Sequence, residues 1–170
     1  MRRILFLLFN RAYLTHIPFS TVMLNFLFQR VFRQFARFKY MIHYTSRVQG
    51  VSNIILADCD KLKTSFAVSG GCYFAAGDEK IIFEEGVIFA PNVCIVSMNH
   101  VPGKLDSFVS KPVYIGKNCW IGTGATILAG VHLGNNVVVG ANSVVTKSFG
   151  DNVIIAGNPA KIVKEILCVE

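Results

Sequence analysis

A six-residue beat runs from Ile115 to Gly150. Ile115, Ile121, Ile127, Leu133, Val139 and Val145 recur on it. A second set keeps the same beat four residues on: Cys119, Ala125, Val131, Val137, Ser143 and Phe149. A third set is Asn118, Gly124, Gly130, Asn136, Asn142 and Ser148. Glycine and asparagine enter the left-handed backbone region at least cost. Each hexad therefore reads as a short strand and a turn, with one large and one small residue pointing inward. Neither an amphipathic helix nor a hairpin sustains a period of six. The pattern predicts a parallel β-helix, with three walls per coil of about 18 residues.

The beat extends upstream in a ragged form. Leu62, Val68 and Phe74 keep it, with Ser65, Gly71 and Gly77 at turn positions. After a three-residue slip it resumes at Phe83, Phe89 and Ile95. It breaks at Val101–Tyr114, where Pro102, Gly103 and Pro112 predict a loop thrown out of one coil. Long loops on a regular scaffold tend to carry function. Beyond Asn158-Pro159, Lys161 to Leu167 reads as a short terminal helix.

Residues 1–50 differ in character. They open with Arg2, Arg3 and the apolar run Ile4 to Phe9, too short for a signal peptide and without a cleavage site. No stretch approaches the ~20 residues needed to span a bilayer. Thr15 to Lys39 reads as an amphipathic helix opening at Pro18. Leu24, Leu27, Phe28, Val31, Phe32 and Phe35 keep helical spacing beside Arg30, Arg33 and Arg37. Two readings stand. The helix lies on an anionic membrane surface through residues 1–40, or it caps the coil or packs between subunits.

Charge follows the same division. Residues 1–57 hold eight Lys/Arg and no acid, whereas residues 58–170 hold nine lysines and ten acids. The repeat region is thus near neutral, which disfavours nucleic acid as a partner. Five cysteines without a CxxC pair argue for a reducing, cytoplasmic compartment. Cys72 and Cys119 fall at small inward positions and suit buried thiols.

Three segments resemble a known family: Lys111 to Gly122 (KPVYIGKNCWIG), Val144 to Lys147 (VVTK), and Ala156 to Lys161 (AGNPAK). They resemble the hexapeptide-repeat acyltransferases, and most of all the galactoside, maltose and polysaccharide O-acetyltransferases. The similarity runs from about Phe83 to Ile166. It implies an all-β fold, a left-handed parallel β-helix over residues 51–170, with an N-terminal helical arm and a short C-terminal helix. It implies acetyl-CoA as acyl donor, no metal, and a homotrimer whose pockets lie between subunits.

The family's catalytic histidine falls on His100, just before the expected loop. Imidazole titrates closest to neutrality, so it can take a hydroxyl proton and return it to a leaving thiolate. His132 lies on an outward hexad position, and His16 and His43 lie outside the repeats. The resemblance implies Gly122 and Thr123, after Trp120, as oxyanion donors. It implies Trp120, Gly122, Thr123, Ala141 and Thr146 along the coenzyme arm, and Lys147, Lys161 and Lys164 near its phosphates. One departure concerns the acceptor. The sugar acetyltransferases carry an asparagine one coil before the histidine, where this chain has Ser69-Gly70-Gly71-Cys72; Asp78 and Asn99 are the substitutes.

The expected function is acetyl-CoA-dependent O-acetylation of a sugar hydroxyl in cell-surface polysaccharide biosynthesis. The alternatives are N-acetylation of an amino sugar nucleotide or xenobiotic, and a non-catalytic β-helix scaffold. A zinc hydratase resembling γ-carbonic anhydrase needs three convergent histidines, and the repeats hold only His100 and His132.

Overall fold

The computed structural model describes residues 12–35 and 37–166. The apolar run Ile4–Phe9 lies outside the described residues. A 3-10 turn, Ala12–His16, leads into helix α1 (Phe19–Phe26), which continues as a wider π turn over Leu27–Val31. Pro18 precedes the first helical residue. Strands β1 (Arg47–Gln49) and β2 (Ile54–Leu56) follow, then helix α2 (Asp60–Val68). Next come β3 (Tyr73–Ala75), β4 (Ile81–Phe83), β5 (Ile88–Phe89) and β6 (Cys94–Val96). Strands β7 (Met98–Val101) and β8 (Lys104–Ser110) form a hairpin. The coil resumes with β9 (Val113–Ile115), β10 (Trp120–Ile121), β11 (Thr126–Ile127), β12 (His132–Leu133), β13 (Val138–Val139) and β14 (Val144–Val145). It closes with β15 (Val153–Gly157) and β16 (Ala160–Glu165).

Three parallel walls result. The first stacks β1, β3, β6, β11 and β14; the second β2, β4, β9 and β12; the third β5, β10, β13 and β15, with β16 antiparallel at its edge. Registers such as Tyr73–Cys94 and Cys94–Thr126 on the first wall put equivalent hexad positions one above another. The inward set Ile115, Ile121, Ile127, Leu133, Val139 and Val145 is buried, as are Cys119, Ala125, Val131, Val137 and Ser143. At the corners Asn118, Gly124, Gly130, Asn136 and Asn142 have φ between 55° and 86°; Ser148 does not. The chain is therefore a parallel β-helix whose coils share one narrow apolar core.

Three expectations change. Leu62, Ser65 and Val68 do not lie on a coil but on α2. Leu62 and Phe66, four apart, face inward at 0% and 1% exposure, which is helical spacing. An open coil end exposes its core, and α2 covers it. At the other terminus, Lys161 to Glu165 forms strand β16 rather than a helix. Gly157 at φ 104° turns the chain back, and Ile162 and Val163 favour extension. The segment 101–114 is a hairpin with a short return to β9, not an irregular loop. Pro102-Gly103 sits at its tip, with Gly103 at φ 79°, a left-handed conformation that glycine adopts without steric cost.

The arm also differs from its expected pattern. The helix starts after Pro18 but ends at Val31, short of Lys39. It buries Val22, Asn25 and Gln29, and it exposes Leu24, Leu27, Val31 and Phe32. The buried face meets a small cluster of Tyr13, Leu14, Ile17, Met41 and Ala67, so the arm stacks on α2. Polar side chains complete that contact. Asn25 Nδ2 donates to Ala67 O at 2.8 Å and its Oδ1 accepts from the Tyr44 amide at 2.9 Å. Gln29 Nε2 donates to Tyr40 O at 2.8 Å and its Oε1 accepts from the Ile42 amide. Gln29→Leu should cost about 1–3 kcal/mol, because it strands buried backbone groups. Chemical denaturation of the full chain measures it; an unchanged midpoint would mean that Gln29 does not tie the arm down.

No helix among the described residues is long and apolar enough to cross a membrane.

Candidate active site

His100 sits on β7, opposite Phe108 on β8. The hairpin register jumps between His100 and Val101: Val101 pairs with Lys104, but His100 pairs with Phe108. The extra residues bulge out of the ladder, which leaves the Leu105 carbonyl unpaired with β7. His100 Nδ1 lies 2.7 Å from that carbonyl oxygen. A carbonyl only accepts, so Nδ1 carries the proton and donates. Nε2 is then the lone-pair nitrogen of the neutral ring. The Phe108 ring stands 4.3 Å from the imidazole, centroid to centroid, and holds its other side. His100 is exposed and needs no backbone movement to meet a ligand.

The sequence did not single out Leu105 and Phe108. The available signal was Pro102-Gly103 between apolar runs, a hairpin pattern. Its bulge, which brings Leu105 to the ring, has no such mark.

The remaining expected residues divide between two corners of the prism. His100, Asp78, Thr146 and Lys147 lie on corners between the first and second walls. The Asp78 amide donates to Ser110 Oγ at 3.3 Å, so this carboxylate-bearing corner lies at the base of the hairpin. Asn99 neighbours His100 on β7 and, by strand alternation, faces the opposite side. Lys147 Nζ stands 5.6 Å over the Phe149 ring. Gly122, Thr123 and Ala141 lie on corners between the third and first walls. Trp120 is half exposed on the third wall, in register with Ile88 and Val138. Lys161 and Lys164 are exposed on β16, at that wall's edge. A single chain therefore does not bring His100 to Thr123 and Ala141; one whole wall separates them.

The two expected oxyanion donors are not equivalent. The Gly122 amide donates to Val139 O at 2.8 Å, inside the coil ladder, and is excluded as a donor. Gly122 is also closely packed: a Cβ there would stand 2.7 Å from the Ala141 nitrogen. Thr123 follows at the exposed corner, where only its carbonyl enters the ladder, accepting from Asn142 at 2.8 Å.

Other reactive groups lie elsewhere. Burial pushes the Cys72 and Cys94 thiols up and that of Cys119 up to about 11, which makes them poor nucleophiles. Burial also pushes Cys59 up, but the backbone N–H groups of Leu62, Gly86 and Lys61 outweigh it and hold this thiol below its ordinary value. Cys59 starts α2, away from the hairpin. His132 is exposed with its ring 4.5 Å from Tyr114. His43 is held by Thr45 Oγ1 at 2.9 Å. His16 borders a hollow of about 570 Å³ with Tyr13, Asp60, Ser65, Ile88 and Phe89, between the helices and the third wall. No cluster of three or more metal-ligating side chains occurs among the described residues.

Comparison with known proteins agrees with this architecture. The family described as the hexapeptide repeat of succinyl-transferase matches residues 112–147. A protein of Dictyostelium discoideum assigned to acetyl transfer is 53% identical over 90 residues, 51% of this chain and 47% of that one. The galactoside O-acetyltransferase of Escherichia coli is 38% identical over 93 residues, 52% of this chain and 46% of that one. The matched stretch thus spans about half the length of these relatives. A hexapeptide-repeat acetyltransferase of Vibrio cholerae, solved with acetyl coenzyme A, superposes with a TM-score of 0.60 at 22% identity, over 87% of this chain and 86% of that one. At that identity the likeness concerns the fold, and with it the left-handed turn of the coil. The six-residue beat, matched as that repeat over residues 112–147, and the superposed coils give this chain the hexapeptide-repeat fold of such acyltransferases.

Proposed function

We propose that this protein is an acetyl-CoA-dependent O-acetyltransferase acting on a sugar hydroxyl. The carrying observation is the fixed tautomer of His100: Nδ1–H is committed to Leu105 O, and Nε2 is left as a base. His100 Nε2 takes the proton of the acceptor hydroxyl as its oxygen bonds to the thioester carbonyl carbon. The C–S bond then breaks, and His100 returns the proton to the departing thiolate. An acetyl ester and free coenzyme A leave, and the imidazole is neutral again. No covalent enzyme intermediate is needed. The exposed Thr123 amide is the donor for the developing oxyanion.

The separation of His100 from Thr123 and Ala141 supports a shared site. In a homotrimer, the hairpin corner of one subunit would face the Thr123 corner of the next. Leu105, Phe108 and Val109, 46–73% exposed on the hairpin, suit burial against that neighbour. Trp120, Thr123, Ala141 and Thr146 would line the coenzyme arm beside Gly122, and Lys147, Lys161 and Lys164 would meet its phosphates. Asp78 and Asn99 are the acceptor-side groups.

The sugar acceptor is supported by relatives. Besides the galactoside enzyme, a protein of Escherichia coli assigned to acetyl transfer in colanic acid biosynthesis is 30% identical over 122 residues, 66% of each chain. Cell-surface polysaccharide, handled on the cytoplasmic side, is the reading that joins them. The test is thiol release from acetyl-CoA across neutral sugars, glycans and amino sugars. The expected result is release with a neutral sugar and a product acetyl group that mild base removes. Base-stable product formed only from amino sugars would make the enzyme an N-acetyltransferase. No coenzyme A binding in calorimetry would make the chain a scaffold.

A further inference from the structure

Helix α1 and the π turn that continues it turn most of their large apolar side chains away from the protein. The side packed on the protein holds Val22, Asn25 and Gln29, at 0%, 0% and 3% exposure, the two amides hydrogen-bonded to backbone groups. The side turned away holds Phe19, Met23, Leu24, Leu27 and Val31, followed by Phe32, each between 36% and 64% exposed. A surface helix normally does the opposite. Six large apolar side chains on one exposed ridge need a partner.

The charge around that ridge selects the partner. Arg30 lies on the helix itself, and Arg33 and Arg37 follow it; all three are exposed. Residues 1–57 contain no acid. The nearest acids in sequence, Asp58 and Asp60, are engaged by Lys63. Two arms meeting face to face would bring like charges together. An anionic lipid surface satisfies both features at once: the ridge enters the acyl boundary and the guanidinium groups meet the headgroup phosphates.

We infer that the outward ridge of α1 docks the protein on an anionic membrane surface. This inference stands on the arm alone and is independent of the acetyl-transfer reading. The full chain is sedimented with vesicles of phosphatidylcholine, with or without a one-third share of phosphatidylglycerol. It should bind the anionic vesicles, bind neutral ones weakly, and dissociate as salt rises. The pair Leu24→Asn/Leu27→Asn and the pair Arg30→Gln/Arg33→Gln should each weaken binding about tenfold or more. All four side chains are exposed, so melting curves should not move, and coenzyme A binding should persist. Three results would overturn the inference. One is no binding to anionic vesicles. Another is binding by both variants at the wild-type level. The third is a change of oligomer mass in Leu24→Asn/Leu27→Asn, which would put a second copy on the ridge.

Discussion

Replacing His100 by alanine should lower acetyl-transfer turnover by at least about a hundredfold, the usual contribution of a general base. The loss should fall on kcat, with the KM for acetyl-CoA little changed, because the imidazole acts on the proton rather than on the coenzyme. Stability should be untouched. His100 is exposed, its one hydrogen bond is to Leu105 O, and the hairpin keeps its ladder without it. Calorimetry with coenzyme A separates the two effects. Turnover within a few fold of wild type would remove His100 from the chemistry; loss of coenzyme binding would instead make it a docking residue. A hydroxyl has no other imidazole on that edge to turn to, since His132 lies on the second wall and His16 and His43 lie in the N-terminal third.

How much of this was legible before folding depends on which interaction decides each segment. The coil from Ile115 to Phe149 was legible because nearly every hexad repeats the same local choice. From Ile115 to Ser143 a large inward residue, a small one and a left-handed corner agree, so local propensity and global packing do not conflict there; only the last hexad, with Ser148 and Phe149, departs. Upstream, Leu62 and Val68 happened to keep the beat, yet α2 is a helix. What decides there is not the period but the need to close the coil end, a demand the segment's own sequence does not carry. The arm misled for a related reason. Its apolar spacing was read as a helix over residues 15–39, but the helix forms only over residues 19–31, and burial went to Val22, Asn25 and Gln29, the two amides serving backbone groups at Tyr40, Ile42 and Ala67. His100 was legible as a candidate base from a motif, and its orientation was not. Leu105 reaches His100 only through a bulge, and a register shift leaves little trace in residue types.

The largest stability effect should come from Phe66. This side chain of α2 is 1% exposed, and one phenylalanine from each wall meets it: Phe74 on the first, Phe83 on the second and Phe89 on the third. Ring centroids lie 5.1, 5.7 and 4.8 Å away, and Phe38 of the arm lies 5.2 Å away. Phe66 is thus the plug through which the helices hold the end of the coil. Phe66→Ala removes the ring from a rigid surround and should cost about 3–5 kcal/mol. For a chain of this size that is on the order of a 10 °C fall in melting temperature. Phe66→Leu, which keeps most of the volume, should cost under about 1.5 kcal/mol. Stacked repeats depend mainly on their neighbours, so the damage should also be local. Amide exchange should accelerate in β1 to β5, while β11 to β14 keep their protection. A uniform loss of protection would show that the prism melts as one unit; a cost below about 1 kcal/mol would show that α2 merely rests on the coil rather than sealing it.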